Sequence, residues 1–203
     1  MTKSDAPTAL AMPPAAKLPP DLQAYFDKCQ EKLGFVPNVL RAYAFDPAKL
    51  QAFIDMVDDL MLADSGISKL EREMIAVAVS AVNQCHYCLT AHGAAVRQRG
   101  KDPMLGELMA QNYRAANLPP KQKAMLDFAV KLTEHPAKMD EADRAALRAV
   151  GCSDRDIWDI ASTAAFYNMS NRLAAATEMR PNPEYHFMAR DKVAPGAKTK
   201  AGK

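Results

Sequence analysis

The chain has 203 residues, 49% hydrophobic and 25% charged, a balance ordinary for a folded protein and wrong for a disordered, collagen-like or low-complexity one. Lysine and arginine number 26 against 24 acidic residues, a net of +2, and the stretch from Asp191 carries four lysines against one aspartate, so the body is near neutral. No cluster of basic residues with aromatics between them is present to replace phosphate counterions, and a nucleic-acid partner is set aside.

Residues 1–20 hold Pro7, Pro13, Pro14, Pro19 and Pro20 with little to bury and are expected to be mobile, as is the tail over residues 191–203. The folded domain is expected over residues 21–190. The start lacks a positively charged stretch followed by an apolar one, which reads as cytoplasmic. A first helix is predicted over 21–33. Asp46-Pro47 and Asp102-Pro103 each set a capping side chain before a proline suited to a first turn, and helices are predicted to begin at both. In the first of these, Leu50, Phe53, Ile54, Val57, Leu60 and Met61 share one helical face. Ser68 and Glu71 form a capping box that opens a helix running to about Val82. Asn83-Gln84 reads as a break, and Gly100 ends the next helix near Gln98. Pro136 closes a helix from about Lys121, and further helices are predicted over 140–149 and 154–178. No strand pattern is present, so the fold class is all-α with short connections.

The uncharged run over residues 74–96 has the length of a membrane span. Ser80, Asn83, Gln84, His86, Thr90 and His92 would need partners in lipid, so the run is read as two shorter helices and no membrane is expected. A weak internal two-fold repeat emerges when Gly66-Ile67-Ser68 is laid on Gly151-Cys152-Ser153, an offset of 85. Glu71 then matches Asp156 and Ile75 matches Ile160. Glu73, Cys85, Cys88 and His92 face Trp158, Ser170, Leu173 and Thr177, so the reactive residue types belong to one copy alone.

The informative segment is Cys85-His86-Tyr87-Cys88-Leu89-Thr90-Ala91-His92. On a helix the two thiols and the imidazole fall within about 60° of one another. His92 is one turn beyond Cys88, close enough to take its proton directly or through a water. A helix start after the break puts Cys88 in a first turn, where backbone N–H groups favour a thiolate. If the flanking helices form an antiparallel pair with its apex near 82–83, residues whose numbers sum to about 165 meet, and Glu73 faces His92. A carboxylate there orients the imidazole in a Cys, His, acid relay. Glu71 is committed to the cap.

Glu73, the pair Cys85-x-x-Cys88 and His92, in this spacing, resemble the alkyl hydroperoxidase D (AhpD-like) family. The resemblance is closer to the peroxidase-related members of the carboxymuconolactone decarboxylase superfamily, which Gly34-Phe35-Val36-Pro37-Asn38-Val39-Leu40 and Tyr167-Asn168-Met169 also fit. It covers roughly residues 34–185. The resemblance implies an all-helical fold, homo-oligomers and thiol-dependent reduction of peroxides with an external thiol or dithiol as reductant. It also implies that Cys88 attacks, Cys85 resolves, and Glu73 and His92 relay protons, with no cofactor and no metal. Tyr87 stands where founding members carry a histidine, which leaves any role of His86 or Tyr87 open. The related decarboxylases lack the cysteine pair.

Other readings of these residues remain. The same thiols can exchange electrons with other thiols and disulfides, or act as a redox sensor. Cys85, Cys88, His92 and Glu73 can in principle supply four zinc ligands, and a buried cysteine pair can be inert. Cys29 falls on the stripe Leu22, Phe26, Cys29, Leu33 and reads as core, Cys152 as structural, and His135 as a helix end. The twelve methionines lie at helical spacing in apolar stripes, which is core filling.

Overall fold

Apolar side chains recurring every three to four residues produce helix after helix. The computed structural model describes residues 5–190, and among these there are nine α-helices and no strand. In chain order they are α1 (Pro20–Leu33), α2 (Asn38–Tyr43), α3 (Pro47–Leu62), α4 (Lys69–Val82), α5 (His86–Gly100), α6 (Leu105–Asn112), α7 (Pro120–Glu134), α8 (Glu141–Ala149) and α9 (Asp154–Ala176). None is long and apolar enough to cross a membrane. Capping boxes open α4 through Ser68 and Glu71, α8 through Asp140 and Asp143, and α9 through Ser153 and Asp156.

Helix α4 is the centre of the molecule. Every residue from Glu71 to Ser80 is buried, because α5, α6, α7 and α9 pack around it. Its Ala-Val-Ala-Val stretch offers small and β-branched side chains on all sides, which lets four neighbours approach at once. Helices α5 and α6 come close enough that a Cβ on Gly106 would stand 2.7 Å from the Gly93 carbonyl oxygen. A second layer, α1 to α3, is held together by Leu22, Leu40, Leu50 and Ile54.

Several local details differ from the sequence expectations. Helix α6 begins at Leu105 instead of Pro103, because Asp102 Oδ1 accepts the Met104 N–H at 2.8 Å and holds a turn there. Helix α5 runs through Gly100, and Lys101 (φ 53°) takes the left-handed position beyond it. Gly100 serves close packing, since a Cβ there would meet Leu105 Cδ2 at 2.9 Å. The six-residue α2 has no counterpart among the predicted helices. Asn38 fixes it: its N–H donates to Asn182 Oδ1 (2.7 Å), its side-chain amide donates to the Arg180 carbonyl (2.9 Å), and Asn182 returns a bond to the Val36 carbonyl (3.0 Å).

The proline-rich stretch expected to be mobile is, over residues 5–19, strapped to the body. Ala9 N–H donates to Thr177 O, Arg180 N–H to Pro7 O and Ala16 N–H to Ala44 O, each at 2.9 Å. Backbone groups, which composition does not reveal, hold it. The tail over residues 191–203 lies outside the described residues.

Candidate active site

The site is built on the turn between α4 and α5. Asn83 ends α4, Gln84 enters the left-handed region (φ 52°), and the Cys85 N–H donates to the Ser80 carbonyl at 3.0 Å. The chain reverses, so α4 and α5 run antiparallel and Glu73 meets His92, with Oε2 2.7 Å from Nδ1. An ionised carboxylate only accepts, so Nδ1 carries the hydrogen and Nε2 is left as the proton acceptor. The other Glu73 oxygen lies 3.6 Å from Arg99 Nε. Tyr167 packs its ring edge-on to the imidazole at 4.7 Å, with its hydroxyl 3.5 Å from Nδ1, and burial pushes its own pKa far up, so it stays protonated. Glu73 is 7% exposed, and a carboxylate so buried depends on such partners.

The two thiols occupy different seats at the start of α5. Cys85 is the residue ahead of the first turn and Cys88 is the third within it. Cys85 is lowered to about 6, first by a hydrogen bond from the Cys88 thiol and then, against burial, by the Cys88 N–H, the charge of His92 and the Tyr87 N–H. Cys88 is raised, by that same bond and by burial, with the Asn171 amide and Ser170 hydroxyl opposing the rise. One proton is therefore shared by two sulfurs: it rests on Cys88 and the charge on Cys85. Sequence reasoning gave the benefit of the helix start to Cys88, which does lie in the first turn; the Cys88 and Tyr87 N–H groups there favour instead the Cys85 sulfur, which sits just ahead of the turn.

Both thiols are buried, but Cys88 is the one at the cavity wall. It lines a cavity of about 300 Å³ together with Glu73, His92 and Tyr167, and with Phe53 and Val57 of α3. Among the described residues no direct hydrogen bond joins His92 to Cys88. They share the cavity wall, and a water or a substrate atom would be needed to carry a proton between them.

The remaining candidates separate cleanly. The Tyr87 hydroxyl accepts the Val39 N–H at 3.0 Å and so ties α5 to α2. His86 is exposed, its ring 6.3 Å from that of His186. Cys29 is half-buried on the cavity wall, its pKa raised by burial. Cys152 is buried away from it, also raised by burial. His135 caps the end of α7. A zinc site needs its ligands to converge, and among the described residues no group of three or more His, Cys, Asp and Glu side chains is arranged to hold a metal ion. Arg99, Ser170 and Asn171 were not singled out from sequence.

A peroxidase-related protein from Silicibacter sp. TM1040 has the same fold with a TM-score of 0.90 and 59% identity, the match covering 94% of this chain and 100% of that one. A second peroxidase-related protein, from Ralstonia eutropha JMP134 and described as an alkylhydroperoxidase AhpD core, matches at 0.86 and 46% identity over 91% and 97%. The chain belongs to the AhpD-like branch of the carboxymuconolactone decarboxylase superfamily. The carboxymuconolactone decarboxylase family model matches residues 47–111, which include Glu73, Cys85, Cys88 and His92. The alkyl hydroperoxide reductase AhpD of Gluconacetobacter diazotrophicus is 33% identical over 103 residues, so the matching part spans about half the length of each, 51%. These names support an antioxidant or peroxidase role at the level of the family.

In the reduced protein, ultraviolet titration should show the first thiolate forming with a midpoint of about 6. Glu73→Gln should raise that midpoint by about half a unit to one unit, since a neutral amide no longer favours the charged imidazole. Glu71→Gln, whose carboxylate serves the Ser68 cap, should leave it in place. If neither variant moved the profile, Glu73 would be a packing carboxylate.

Proposed function

We propose that the protein reduces hydrogen peroxide or alkyl hydroperoxides through a Cys85/Cys88 dithiol–disulfide cycle. The observation that carries this reading is that Cys88, and not Cys85, shares the wall of the cavity with the Glu73–His92 pair. The substrate then meets one sulfur while the other waits behind it.

Cys88 passes its proton along the hydrogen bond to Cys85 and attacks the peroxide as a thiolate. An S–O bond forms, the O–O bond breaks, and the departing alkoxide or hydroxide takes from His92 Nε2 the proton that the imidazole, held in place by Glu73, had drawn from the thiol pair. Cys85 then attacks the sulfur of the Cys88 sulfenic acid. The S–S bond forms, the S–O bond breaks, and the Cys85 proton leaves with hydroxide as water. Two electrons have moved from two thiols to one peroxide. An external thiol or dithiol returns them by exchange with the disulfide. A cytoplasmic setting, where such reductants are abundant, suits this cycle.

Self-association belongs to the same proposal. Trp158, Met169 and Leu173 of α9 are 71%, 48% and 38% exposed and fall on one helical stripe, an apolar face that a second copy of the chain would cover. Light scattering should give a mass above one 22.2 kDa chain at micromolar concentration. A single-chain mass throughout would remove this part of the proposal.

The cycle is asymmetric, and that gives its test. Cys88→Ser should abolish peroxide consumption, whereas Cys85→Ser should react once and stop at a sulfenic acid that dimedone traps at Cys88. Trapping at Cys85 in the Cys88→Ser protein would reverse the roles. Thiol–disulfide exchange with full indifference to peroxide would favour an oxidoreductase or redox sensor built from the same pair.

A further inference from the structure

Attack on a peroxide needs room for two oxygens at the Cys88 sulfur, and the cavity offers far more. Its volume of about 300 Å³ is at the lower end of what small-molecule sites enclose. Phe53, Val57, Phe166 and Met188 give it apolar walls that hydrogen peroxide or a short alkyl hydroperoxide would leave uncovered. The molecule that fits carries an apolar body.

One stripe of α5 carries the polar groups. Cys88, His92, Ala95 and Arg99 follow at steps of four, three and four, so they share a helical face, and all four line the cavity. The stripe rises about 16 Å from Cys88 to Arg99. The Arg99 side chain reaches back along it, since its Nε lies 3.6 Å from Glu73 Oε1 while Glu73 Oε2 holds His92. Among the described residues Glu73 is the one ion-pair or hydrogen-bond partner of Arg99, and that contact uses Nε. The edge formed by Nη1 and Nη2 is left without a partner there. Such an edge is a planar fork that matches the two oxygens of a carboxylate. Glu73 already sets one negative charge beside it, which favours a singly charged carboxylate over a doubly charged phosphate.

We infer that the substrate is an organic hydroperoxide that bears a carboxylate, seated with its carboxylate on the Nη edge of Arg99, its apolar body against Phe53, Val57, Phe166 and Met188, and its hydroperoxide at Cys88. The inference rests on the peroxidase reading above and narrows it. Exposure grades along the stripe, from 1% at Cys88 through 23% for the His92 side chain to 36% for that of Arg99. The charged end of such a molecule therefore stays near water while its hydroperoxide goes inward, which avoids the cost of burying a carboxylate. Arg99 determines specificity and takes no part in bond making.

The test has a binding arm and a turnover arm. In the first, calorimetry on the reduced protein compares octanoate with octanol, neither of which a thiol can reduce. Octanoate should bind about tenfold tighter, the scale of one charge-assisted pair at a partly exposed site. Arg99→Gln should bring that ratio close to one, and Arg99→Lys, which keeps the charge without the fork, should retain part of it. In the second arm, ω-hydroperoxyoctanoate is compared with its methyl ester. The acid should have a kcat/KM about tenfold above that of the ester, carried by KM, and Arg99→Gln should collapse the ratio. Because Arg99 also touches Glu73, the ratio is the readout: a disturbed Glu73–His92 pair slows acid and ester alike. A merely structural Arg99 would lower the unfolding temperature and leave both ratios where they were. Ratios near one in the unaltered protein, or ratios that survive Arg99→Gln, would overturn the assignment. An octanoate preference that depends on Arg99, in a protein that leaves both hydroperoxides intact, would sustain the carboxylate seat and sink the peroxidase reading. Fast turnover of acid and ester at equal kcat/KM would do the reverse.

Discussion

The chemistry of this molecule depends on one reversal of the chain, the three residues between α4 and α5. Gln84 in the left-handed region and the Cys85 N–H bonded back to Ser80 stop one helix and start the next within a single turn. Two consequences follow from that geometry. The antiparallel pairing brings a carboxylate and an imidazole nineteen residues apart into a 2.7 Å contact. The fresh helix start sets Cys85 just ahead of a first turn, where the Cys88 thiol and then the Cys88 and Tyr87 N–H groups lower its pKa. A continuous helix over the same residues would have neither feature.

The cost of this arrangement is borne by α4. Placing Glu73 in the most enclosed helix of the fold is unfavourable unless it is paired, and His92 and Arg99 are what α5 provides. The same helix carries Ser80, whose carbonyl ends the turn and whose hydroxyl orients Asn171. Helix α4 therefore positions the Glu73–His92 pair toward one end and the turn that carries the cysteines at the other. Helices α1 to α3 contribute no reactive group of this set. They contribute Phe53 and Val57 to the apolar part of the cavity wall.

Much of this was legible in the sequence because it rests on local rules. The apolar period and the Ser68–Glu71 box mark α4, and the uncharged stretch broken by Asn83-Gln84 marks a helical hairpin in which 73 and 92 fall opposite each other by arithmetic. What escaped detection rests on distant partners. Helix α2 has only six residues, too few for a period, and depends on Asn182, 144 positions from Asn38. The strap over residues 5–19 is held by backbone groups that look alike in any sequence. Asn171 lies far along the chain from Asn83 and Ser80, in an alanine-rich helix where an asparagine has no local signature, and its bonds to them emerge only in the fold. The seat of the thiolate escaped for a finer reason: the N–H groups of a first turn serve the side chain just ahead of it, so they favour Cys85 over Cys88.

Peptide mapping by mass spectrometry, after one equivalent of hydroperoxide is added to fully reduced protein, tests the central claim most directly. The account predicts a disulfide joining Cys85 to Cys88, with Cys29 and Cys152 recovered as free thiols. Peroxide left unconsumed with all four cysteines reduced, or oxidation confined to Cys29 or Cys152, would contradict it.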